Sequence, residues 1–361
     1  MDATAIDLFQ SCSLGRLRLP NRFVRSATTS GWADERGFVG PEVVARYDEL
    51  ARGDIGLIVK GHLYVDARGK AHTGMAGAAG DEHLPRLATL TDAVHSHGGR
   101  ILAQLNHAGY EAEAGERMGP SDFPTSTWSA HAMDGGEIRD VIRAFGQAAR
   151  RCLDAGFDGF QVHAAHGYLI SQFLSKHANR RIDEWGGSLT NRMRLLRETY
   201  LELRARLGDD AVIAVKMNCD DFSEDGFTVA EAAEVAGELS RLGVDLIEVS
   251  GGGTGEDPRL RARARSDDPA LAEASFAGHC ARIRMATGST PLALVDGLTT
   301  VAGMRAVVQS GLADLVSLSR PFIREPDLVR HLAAGQPHVT CTRCDGCYDV
   351  LGVEMMRCVL D

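Results

Sequence analysis

Two histidines and a tyrosine stand close together near the middle of the chain, in the run DGFQVHAAHGYLISQFLSKHANRRIDEWGGSLTNR, residues 158–192. His163, His166 and Tyr168 follow a short apolar segment that is typical of a buried strand. Neutral imidazoles can donate hydrogen bonds to one carbonyl or phenolate oxygen, and a nearby phenol can deliver a proton. Zinc is a second interpretation of two histidines, but the usual third ligand is missing beside them. Purely structural histidines are the third interpretation.

A second group of reactive side chains lies in the last part of the sequence. The tail reads CTRCDGC from Cys341 through Cys344 to Cys347, and Cys358 follows after ten further residues. Three thiolates with C-x2-C-x2-C spacing and a distant fourth suit the corners of a [4Fe–4S] cluster. Metal-free thiols and a zinc site are the alternatives, and zinc comes last because zinc sites more often pair two separate C-x2-C units. The other cysteines are scattered and are interpreted as small apolar residues: Cys12, Cys152, Cys219 and Cys280.

Eight short apolar segments alternate with helical patterns along the chain and predict eight strand–helix units. Most of the strand segments are continuous apolar runs, such as VIAVKM, which indicates strands of a parallel sheet that are buried on both faces. The predicted strands are 23–29, 55–61, 100–106, 158–164, 211–217, 245–251, 291–296 and 314–319. The predicted helices are 41–52, 82–97, 138–155, 192–207, 228–242, 270–287, 300–310 and 326–334.

Eight such units fit an α/β fold, a single (β/α)8 TIM barrel, in which the C-terminal ends of the strands carry the chemistry. An open doubly wound sheet is the alternative, but it predicts a G-x-G-x-x-G fingerprint that the sequence lacks. We predict the barrel over residues 1–335 and a cysteine-rich tail packed on it over residues 336–361. The long segment 110–137 after the third strand is expected to cover the C-terminal face as a lid.

Composition narrows the classes of protein. The 361 residues carry a net charge of −10, which argues against general affinity for nucleic acid. An apolar run of about 18 residues is absent, so we expect no membrane span. The first residues, MDATAIDLFQ, do not resemble a secretory signal, so we expect a cytoplasmic protein. The arginine-rich segment 258–265 is expected to be a solvated loop, with a site for a phosphate-bearing ligand or a partner protein as the alternative.

The central run resembles a known family. HAAHGYLISQFLS from His163, followed by NRR at Asn179, WGGS at Trp185 and NR at Asn191, is similar to the signature of the Old Yellow Enzyme family. Shorter matches are NRFV at Asn21, QLNHAG at Gln104, VKMNCDDF at Val215 and LSRPF at Leu318. The family consists of flavin-dependent NAD(P)H oxidoreductases built on one FMN-binding TIM barrel. The resemblance therefore implies FMN as the cofactor, NAD(P)H as the reductant and the same barrel fold.

The resemblance also implies contacts to the flavin ring. Thr29 matches a residue that hydrogen-bonds the O4 edge of the flavin, and Gln104 matches the glutamine at the pyrimidine edge. Lys216 stands where many relatives have arginine, beside flavin N1 and O2. A cation at that position stabilises the anionic reduced flavin, because electrostatic interactions are strong in a site that excludes water.

The phosphate group of FMN is expected at Arg320, with backbone N–H groups near Gly297 and Ser319. Three positions match residues that line the flavin through backbone contacts: Ala27, Thr28 and Gly61. Four positions depart from the usual residues of the family: Ala27, Tyr110, Lys176 and Lys216. These departures leave the substrate and the flavin potential open, since lysine lacks the bidentate fork of arginine.

The resemblance implies a reaction as well. His163 and His166 match the pair that binds the carbonyl oxygen of the substrate, and Tyr168 matches the proton donor. Hydride would pass from NAD(P)H by way of FMN to the β-carbon of a small α,β-unsaturated carbonyl or enoyl compound, and Tyr168 would protonate the α-carbon. We therefore predict an FMN-dependent ene-reductase. Members of the family often associate, so a homo-oligomer is also expected.

The cysteine tail resembles the iron–sulfur segment of the trimethylamine dehydrogenase and 2,4-dienoyl-CoA reductase branch of this family. That branch normally continues into an FAD and dinucleotide-binding region that is not found here. The alternative function is therefore an amine or other dehydrogenase that passes electrons through the cluster to an external electron-transfer protein. Amine dehydrogenases have cysteine at the Thr29 position and tyrosine at the His163 position, which favours ene reduction here. A non-catalytic redox or metal-sensing module is the third interpretation, and the intact His163–His166–Tyr168 set argues against it.

Overall fold

Eight parallel strands close into a barrel in the computed structural model, which describes residues 6–253, 266–350 and 354–360. Each strand pairs with the next one along the chain, and the last pairs with the first. In chain order the first to eighth barrel strands are Phe23–Thr28, Leu57–Tyr64, Ile101–Asn106, Gly159–Ala164, Val212–Asn218, Leu246–Ser250, Leu292–Val295 and Leu315–Leu318. The predicted (β/α)8 barrel is confirmed. The arginine-rich segment 258–265 lies outside the described residues.

Helices connect the strands on the outside of the barrel and bury one apolar face against it. They are Pro41–Arg52, Leu84–His95, Gly135–Asp154, Leu169–Leu174, Leu189–Arg192, Arg194–Leu207, Val229–Arg241, Ala277–Thr287, Val301–Gln309, Arg320–Arg324 and Leu328–Ala333. Side chains start several of them: Asp134 accepts hydrogen bonds from the backbone N–H groups of Gly136 and Glu137, and Thr228 caps the helix Val229–Arg241. None of the helices in the described part of the chain has the length and apolarity that crossing a membrane requires.

The helix expected over 270–287 begins seven residues later than predicted. Pro269–Leu271 forms a single 3-10 turn, and the α-helix starts at Ala277. The residues between them are tied to the loop after the seventh strand instead: the Glu273 carboxylate accepts hydrogen bonds from the backbone N–H groups of Thr299 and Thr300. These long-range bonds compete with helix formation and are invisible to a local pattern.

A short hairpin covers the N-terminal end of the barrel, and the sequence analysis did not predict it. Its strands are Cys12–Leu14 and Leu17–Leu19. The hairpin leucines pack in one cluster with apolar residues of the barrel strands: Val24, Leu57, Val59, Leu102, Val212, Ala214, Leu246, Ala293 and Leu315. This cluster fills the lower end of the barrel, so the C-terminal end is left to hold a ligand.

The long segment after the third strand packs over the C-terminal end of the barrel. It contains a 3-10 turn, Gly109–Glu111, and three short strands: Met118–Gly119, Phe123–Pro124 and Ser129–Ala132. The Tyr110 ring stacks on Phe123 with centroids 4.8 Å apart, and the Tyr110 hydroxyl donates to the Ser121 carbonyl oxygen at 2.8 Å. Tyr110 and Phe123 line a small cavity together with Gly167 and Asp221, which follow the fourth and fifth barrel strands.

The cysteine-containing tail contacts the same end of the barrel. The Met356 backbone N–H donates to the Ser30 carbonyl oxygen at 3.0 Å, next to the end of the first strand. Arg324, in the helix after the eighth strand, lies 3.8 Å from the Cys358 sulfur. The tail therefore borders the region where the site residues are expected.

Candidate active site

The inward-facing residues of the barrel change from apolar to polar near the C-terminal ends of the strands. Strand register places the polar ones side by side: Gln104 pairs with Gln161, and Lys216 pairs with His163 on one side and Glu248 on the other. Because side chains alternate along a strand, these residues all face the barrel interior, where Gln104, Gln161, Lys216 and Glu248 form a hydrogen-bonded polar layer.

A cavity of about 600 Å³ opens above this polar layer. The third, fourth and fifth strands contribute Gln104, His163 and Lys216 to its lining. The seventh, eighth and first strands, which lie on the other side of the barrel, lead into Gly297 and Arg320 and carry Thr28. The sequence-predicted residues that line the cavity are Ala27, Thr28, Thr29, Gln104, His163, His166, Tyr168, Lys216, Gly297, Ser319 and Arg320.

Gly61 is the one expected flavin contact that the structure does not place on this lining. A Cβ atom at position 61 would lie 2.0 Å from the Thr28 carbonyl oxygen. Glycine is therefore needed there so that the second strand can approach the backbone of the first, and this role explains the residue without a ligand contact.

His163, His166 and Tyr168 converge at one side of the cavity. The His163 ring centroid lies 5.2 Å from that of His166 and 5.1 Å from that of Tyr168. His166 has a φ of 62°, and Gly167 follows at 74°, so the chain turns sharply from the fourth strand into the helix Leu169–Leu174. A non-glycine residue in this conformation is strained, and such strain is common at functional sites. The turn brings the three rings together.

Burial sets the protonation of these rings. Burial, with smaller contributions from His166 and His62, lowers the pKa of His163 well below its ordinary value, so its imidazole is neutral. The buried His163 Nδ1 has no hydrogen-bond partner among the described residues. Burial raises the pKa of Tyr168 to about 12, which keeps the phenol protonated. The side chains can therefore offer hydrogen-bond donors and a proton to a ligand oxygen or carbon.

His62, which the sequence analysis did not identify, also lines the cavity. Its ring centroid is 5.3 Å from that of Tyr168, and its Nδ1 atom is 3.0 Å from Asn106 Nδ2. Burial lowers the pKa of His62 to about 3, so this ring is neutral as well. The neighbouring His72 reaches Thr29 Oγ1 at 3.3 Å. The sequence signal that could have identified His62 is a histidine inside the apolar run of the second strand.

A buried ion pair lies at the floor of the cavity. Lys216 Nζ donates to Ser26 Oγ at 2.8 Å and to Glu248 Oε1 at 3.2 Å. Glu248 also accepts hydrogen bonds from Ser26 Oγ at 2.6 Å, Ser317 Oγ at 2.8 Å and Gln161 Nε2 at 2.7 Å. Burial alone would raise the pKa of Glu248, but the Lys216 ammonium and these donors outweigh it and lower the pKa. The sequence analysis identified only Lys216 in this network, although a carboxylate inside the run DLIEVS marked the position.

Arginines gather at the other side of the cavity. Arg320 pairs with Asp296 at 3.2 Å and with Asp345 of the tail. Arg343, also in the tail, donates to the Gly297 carbonyl oxygen at 3.2 Å. Arg320 and Arg343 line the cavity together with Asp296 and Asp345, and their guanidinium groups can hydrogen-bond an anionic group there.

The residues present fit FMN. The cavity offers a carboxamide and an ammonium at its floor for the polar edge of a ring, and guanidinium groups across the barrel for a phosphate. His163, His166 and Tyr168 line the same cavity, where a second ligand would contact them.

The four tail cysteines line one small cavity of their own. Arg320, Arg343 and Asp345 line both this cavity and the larger one, so the two are neighbours. Over residues 6–253, 266–350 and 354–360, no three His, Cys, Asp or Glu side chains are arranged like the ligands of one metal ion. Neither the zinc nor the [4Fe–4S] interpretation of the tail gains support from this arrangement.

The barrel and the residues at its open end define the class as a barrel oxidoreductase. Residues 7–338 match the NADH:flavin oxidoreductase / NADH oxidase family, and the chain belongs to that family. The resemblance to the Old Yellow Enzymes is thereby confirmed, and FMN with NAD(P)H agrees with it.

Individual relatives extend this match. The NADPH dehydrogenase of Geobacillus sp. (strain WCH70) is 35% identical over 326 residues, which cover 88% of this chain and 91% of that protein. The NADH oxidase of Thermoanaerobacter brockii is 30% identical over 352 residues, 94% of this chain and 53% of that protein. A solved structure of a 2-naphthoyl-CoA reductase with 2-naphthoyl-CoA has a TM-score of 0.90 at 28% identity, over 98% of this chain and 57% of that chain. The chain thus spans about half the length of the last two proteins.

Proposed function

We propose that the chain is an FMN-dependent ene-reductase that reduces the activated C=C bond of an α,β-unsaturated carbonyl or enoyl compound with NAD(P)H. The observation that carries the proposal is the convergence of His163, His166 and Tyr168 on the cavity whose floor holds Gln104 and Lys216. Relatives described as an NADPH dehydrogenase and as a 2-naphthoyl-CoA reductase support this reaction class.

We assign the cofactor contacts as follows. Gln104 and Lys216 would bind the polar edge of the isoalloxazine, and Thr29 would contact its O4 side. Arg320 and the backbone near Gly297 would hold the phosphate. The backbone of Ala27 and Thr28 would line the flavin, and backbone N–H groups near Ser319 would join those near Gly297 at the phosphate. When bound, FMN supplies hydride transfer between the nicotinamide and the alkene.

The protein's own side chains prepare the alkene. His163 and His166 donate hydrogen bonds to the carbonyl oxygen, which draws electron density away from the β-carbon. Neutral His163 is suited to this, because a buried cation beside Lys216 would carry a large desolvation cost. Tyr168 then delivers its proton to the α-carbon, and its raised pKa keeps that proton in place until the carbon needs it.

Replacing Tyr168 by Phe tests this role. We expect alkene reduction to slow by about 10²–10⁴-fold, since general acid catalysis has that size. Reduction of the bound flavin by NAD(P)H should be unchanged, because that step needs no proton from the tyrosine. Anaerobic stopped-flow absorbance separates the two half-reactions.

Tyr200→Phe is the matched control, because Tyr200 is buried in an outer helix and donates to the Leu242 carbonyl oxygen. Both half-reactions should keep their wild-type rates in this variant. Equal slowing of both half-reactions in Tyr168→Phe would show that the tyrosine is not the proton donor. A wild-type protein that binds no flavin would refute the proposed function as a whole.

We further propose that Cys341, Cys344, Cys347 and Cys358 hold a [4Fe–4S] cluster. The shared cavity supports it, and nearby arginines would balance the negative charge of the cluster and its thiolates. The tail, residues 336–361, would then be a separate cluster-binding unit packed on the barrel of residues 1–335.

Protein purified without oxygen should contain about four irons and four sulfides per chain and show broad visible absorption in addition to the flavin bands. Cys347→Ser should lose most of the iron. Cys280→Ser, at a buried cysteine in an outer helix, should retain it. Wild-type protein that retains its flavin but contains no iron would refute the cluster.

The two neighbouring cavities also suggest a route for electrons. We propose that such a cluster would exchange electrons with an external electron-transfer protein. We also propose that the enzyme is cytoplasmic and forms a homo-oligomer. Flavin reoxidation by an added one-electron acceptor protein, measured in wild type and in Cys347→Ser, tests this route. Equal rates in the two proteins would exclude it.

A further inference from the structure

Two buried side chains below the cavity have no role in the proposed reaction. Gln161 and Glu248 are completely shielded from solvent and do not belong to the cavity lining. They connect the two floor residues, because Gln104 bonds to Gln161, Gln161 bonds to Glu248, and Glu248 bonds to Lys216. Buried polar groups are costly unless each donor meets an acceptor, so the order of donors and acceptors along this series of hydrogen bonds is constrained.

Glu248 sets the donor-to-acceptor direction of this series of hydrogen bonds. An ionised carboxylate can only accept hydrogen bonds. The atom of Gln161 that lies 2.7 Å from Glu248 Oε2 must therefore be the amide nitrogen, Nε2. Lys216, Ser26 and Ser317 all donate to the other carboxylate oxygen, Oε1, and keep Glu248 charged.

The same logic then orients Gln104. Since the Gln161 nitrogen faces Glu248, its carbonyl oxygen faces Gln104 and accepts a hydrogen bond from Gln104 Nε2 at 2.8 Å. The carbonyl oxygen of Gln104 has no protein partner among the described residues, and Gln104 lines the cavity. Gln104 therefore presents an acceptor to the ligand.

We propose that Glu248 is a positioning residue that sets the hydrogen-bond polarity of the flavin site, by orienting Gln104 through Gln161 and by balancing the charge of Lys216. This inference rests on the proposed FMN site. The pyrimidine edge of a flavin carries an N–H donor, N3–H, between two carbonyl oxygens. An acceptor oxygen on Gln104 matches that donor, whereas an amide N–H would oppose it.

Glu248→Gln should invert the relay. The donors Lys216, Ser26 and Ser317 would hold the new carbonyl oxygen in place of Oε1, so the new amide nitrogen would face Gln161. Gln161 would turn over, and Gln104 would turn over in response and present its N–H group. We expect FMN to bind at least about tenfold more weakly, since a buried donor would then face another donor.

Exchanging the two residues separates polarity from charge. In the double variant Gln161→Glu/Glu248→Gln, the amide at 248 donates to the carboxylate at 161, and that carboxylate accepts from Gln104. FMN affinity should return to within about threefold of wild type, because Gln104 again presents its oxygen. Lys216 loses its directly bonded carboxylate in both variants, so the flavin midpoint potential should be shifted upward in both.

FMN affinity is measured from the fluorescence of FMN released when the holoenzyme is diluted, and the midpoint potential by equilibration with a redox dye. Glu231→Gln is the matched control: this half-buried carboxylate pairs with Arg192 at the start of an outer helix. Both readouts should stay at wild-type values in the control. Circular dichroism checks that each variant is folded.

The outcomes are distinct. A wild-type protein without FMN refutes the proposed function, and this inference with it. Wild-type affinity in Glu248→Gln, or a double variant as weak as the single one, refutes the relay while leaving the proposed function intact. If Glu248→Gln does not fold, Gln161→Met takes its place: it cuts the relay but retains the Lys216–Glu248 pair. Weaker FMN binding at an unchanged midpoint potential is then expected, and wild-type affinity would refute the relay.

Discussion

The barrel interior contains two layers of side chains that lie on the same strands. The lower layer is apolar, and the upper layer is polar and hydrogen-bonded. At the lower end, Leu102, Leu246 and Leu315 belong to the apolar cluster closed by the N-terminal hairpin. Two residues further along the same three strands stand Gln104, Glu248 and Ser317, which belong to the polar layer at the floor of the cavity.

The two layers are stabilised in different ways. The lower layer gains free energy from each apolar group that it removes from water, and its residues need no specific partner. The upper layer loses hydration for every polar group, and a buried ion pair such as Lys216–Glu248 seldom stabilises a fold. Its groups are tolerable because hydrogen bonds connect them, and their benefit lies in binding. Adjacent layers of one barrel can thus serve stability and function separately.

Leu102→Ala and Gln104→Leu test this separation on one strand, and the first should have the largest effect on stability. Leu102 is fully buried, so truncation should lower the free energy of unfolding by about 2–5 kcal/mol and leave FMN affinity unchanged. Gln104→Leu should weaken FMN binding and lower the free energy of unfolding by about 1–3 kcal/mol, a smaller loss than for Leu102→Ala, because the buried Gln161 carbonyl oxygen loses its hydrogen-bond donor. Urea unfolding of the FMN-free protein measures the free energy of unfolding of both variants. Similar losses of stability in the two variants would contradict the division between layers.

Acid should destabilise the fold in part through His62, which lines the cavity. His62 has a pKa of about 3 in the folded protein and about 6.5 when unfolded, so the unfolded state binds more protons between these values. The free energy of unfolding should therefore fall as the pH drops below about 6.5, by up to about 1.4 kcal/mol per pH unit from this group. His62→Gln should reduce the slope, and His338→Gln, at an exposed histidine, should retain it. An unchanged slope in His62→Gln would show that His62 is not the group responsible.

Ser317→Ala should give the smallest effect. The variant removes one of the donors to Glu248 and leaves the Lys216, Ser26 and Gln161 bonds in place. We expect the free energy of unfolding to fall by about 1 kcal/mol, with FMN affinity within about twofold of wild type. Calorimetry and FMN titration check this. A large loss of FMN affinity would mean that Ser317 has a direct role at the ligand.

Much of the fold was predictable because its signals are local. The strand predicted over 23–29 is Phe23–Thr28, and the helix predicted over 41–52 is Pro41–Arg52. Continuous apolar runs recur along the chain and indicate the buried strands of a parallel barrel. The hairpin Cys12–Leu14 with Leu17–Leu19 was missed, because its leucines match no regular pattern until the barrel interior surrounds them.

The candidate site divides in the same way. His163, His166, Tyr168, Gln104 and Lys216 belong to runs with a recognisable chemical signature, and the structure brings all five to one cavity. The partners of these residues have no such signature. A glutamine or serine inside a strand becomes informative only when the register of a neighbouring strand places a carboxylate beside it.

Residue order alone was therefore enough to establish the barrel, the histidine–tyrosine group and the spacing of the four cysteines, because each is encoded by neighbours along the chain. Closure of the barrel decided the rest. It placed Glu248 beside Lys216, aligned Gln161 with Gln104 and brought Arg320 against the tail. These contacts join residues far apart in the chain, and their energies depend on burial and register, which exist only after the strands have paired.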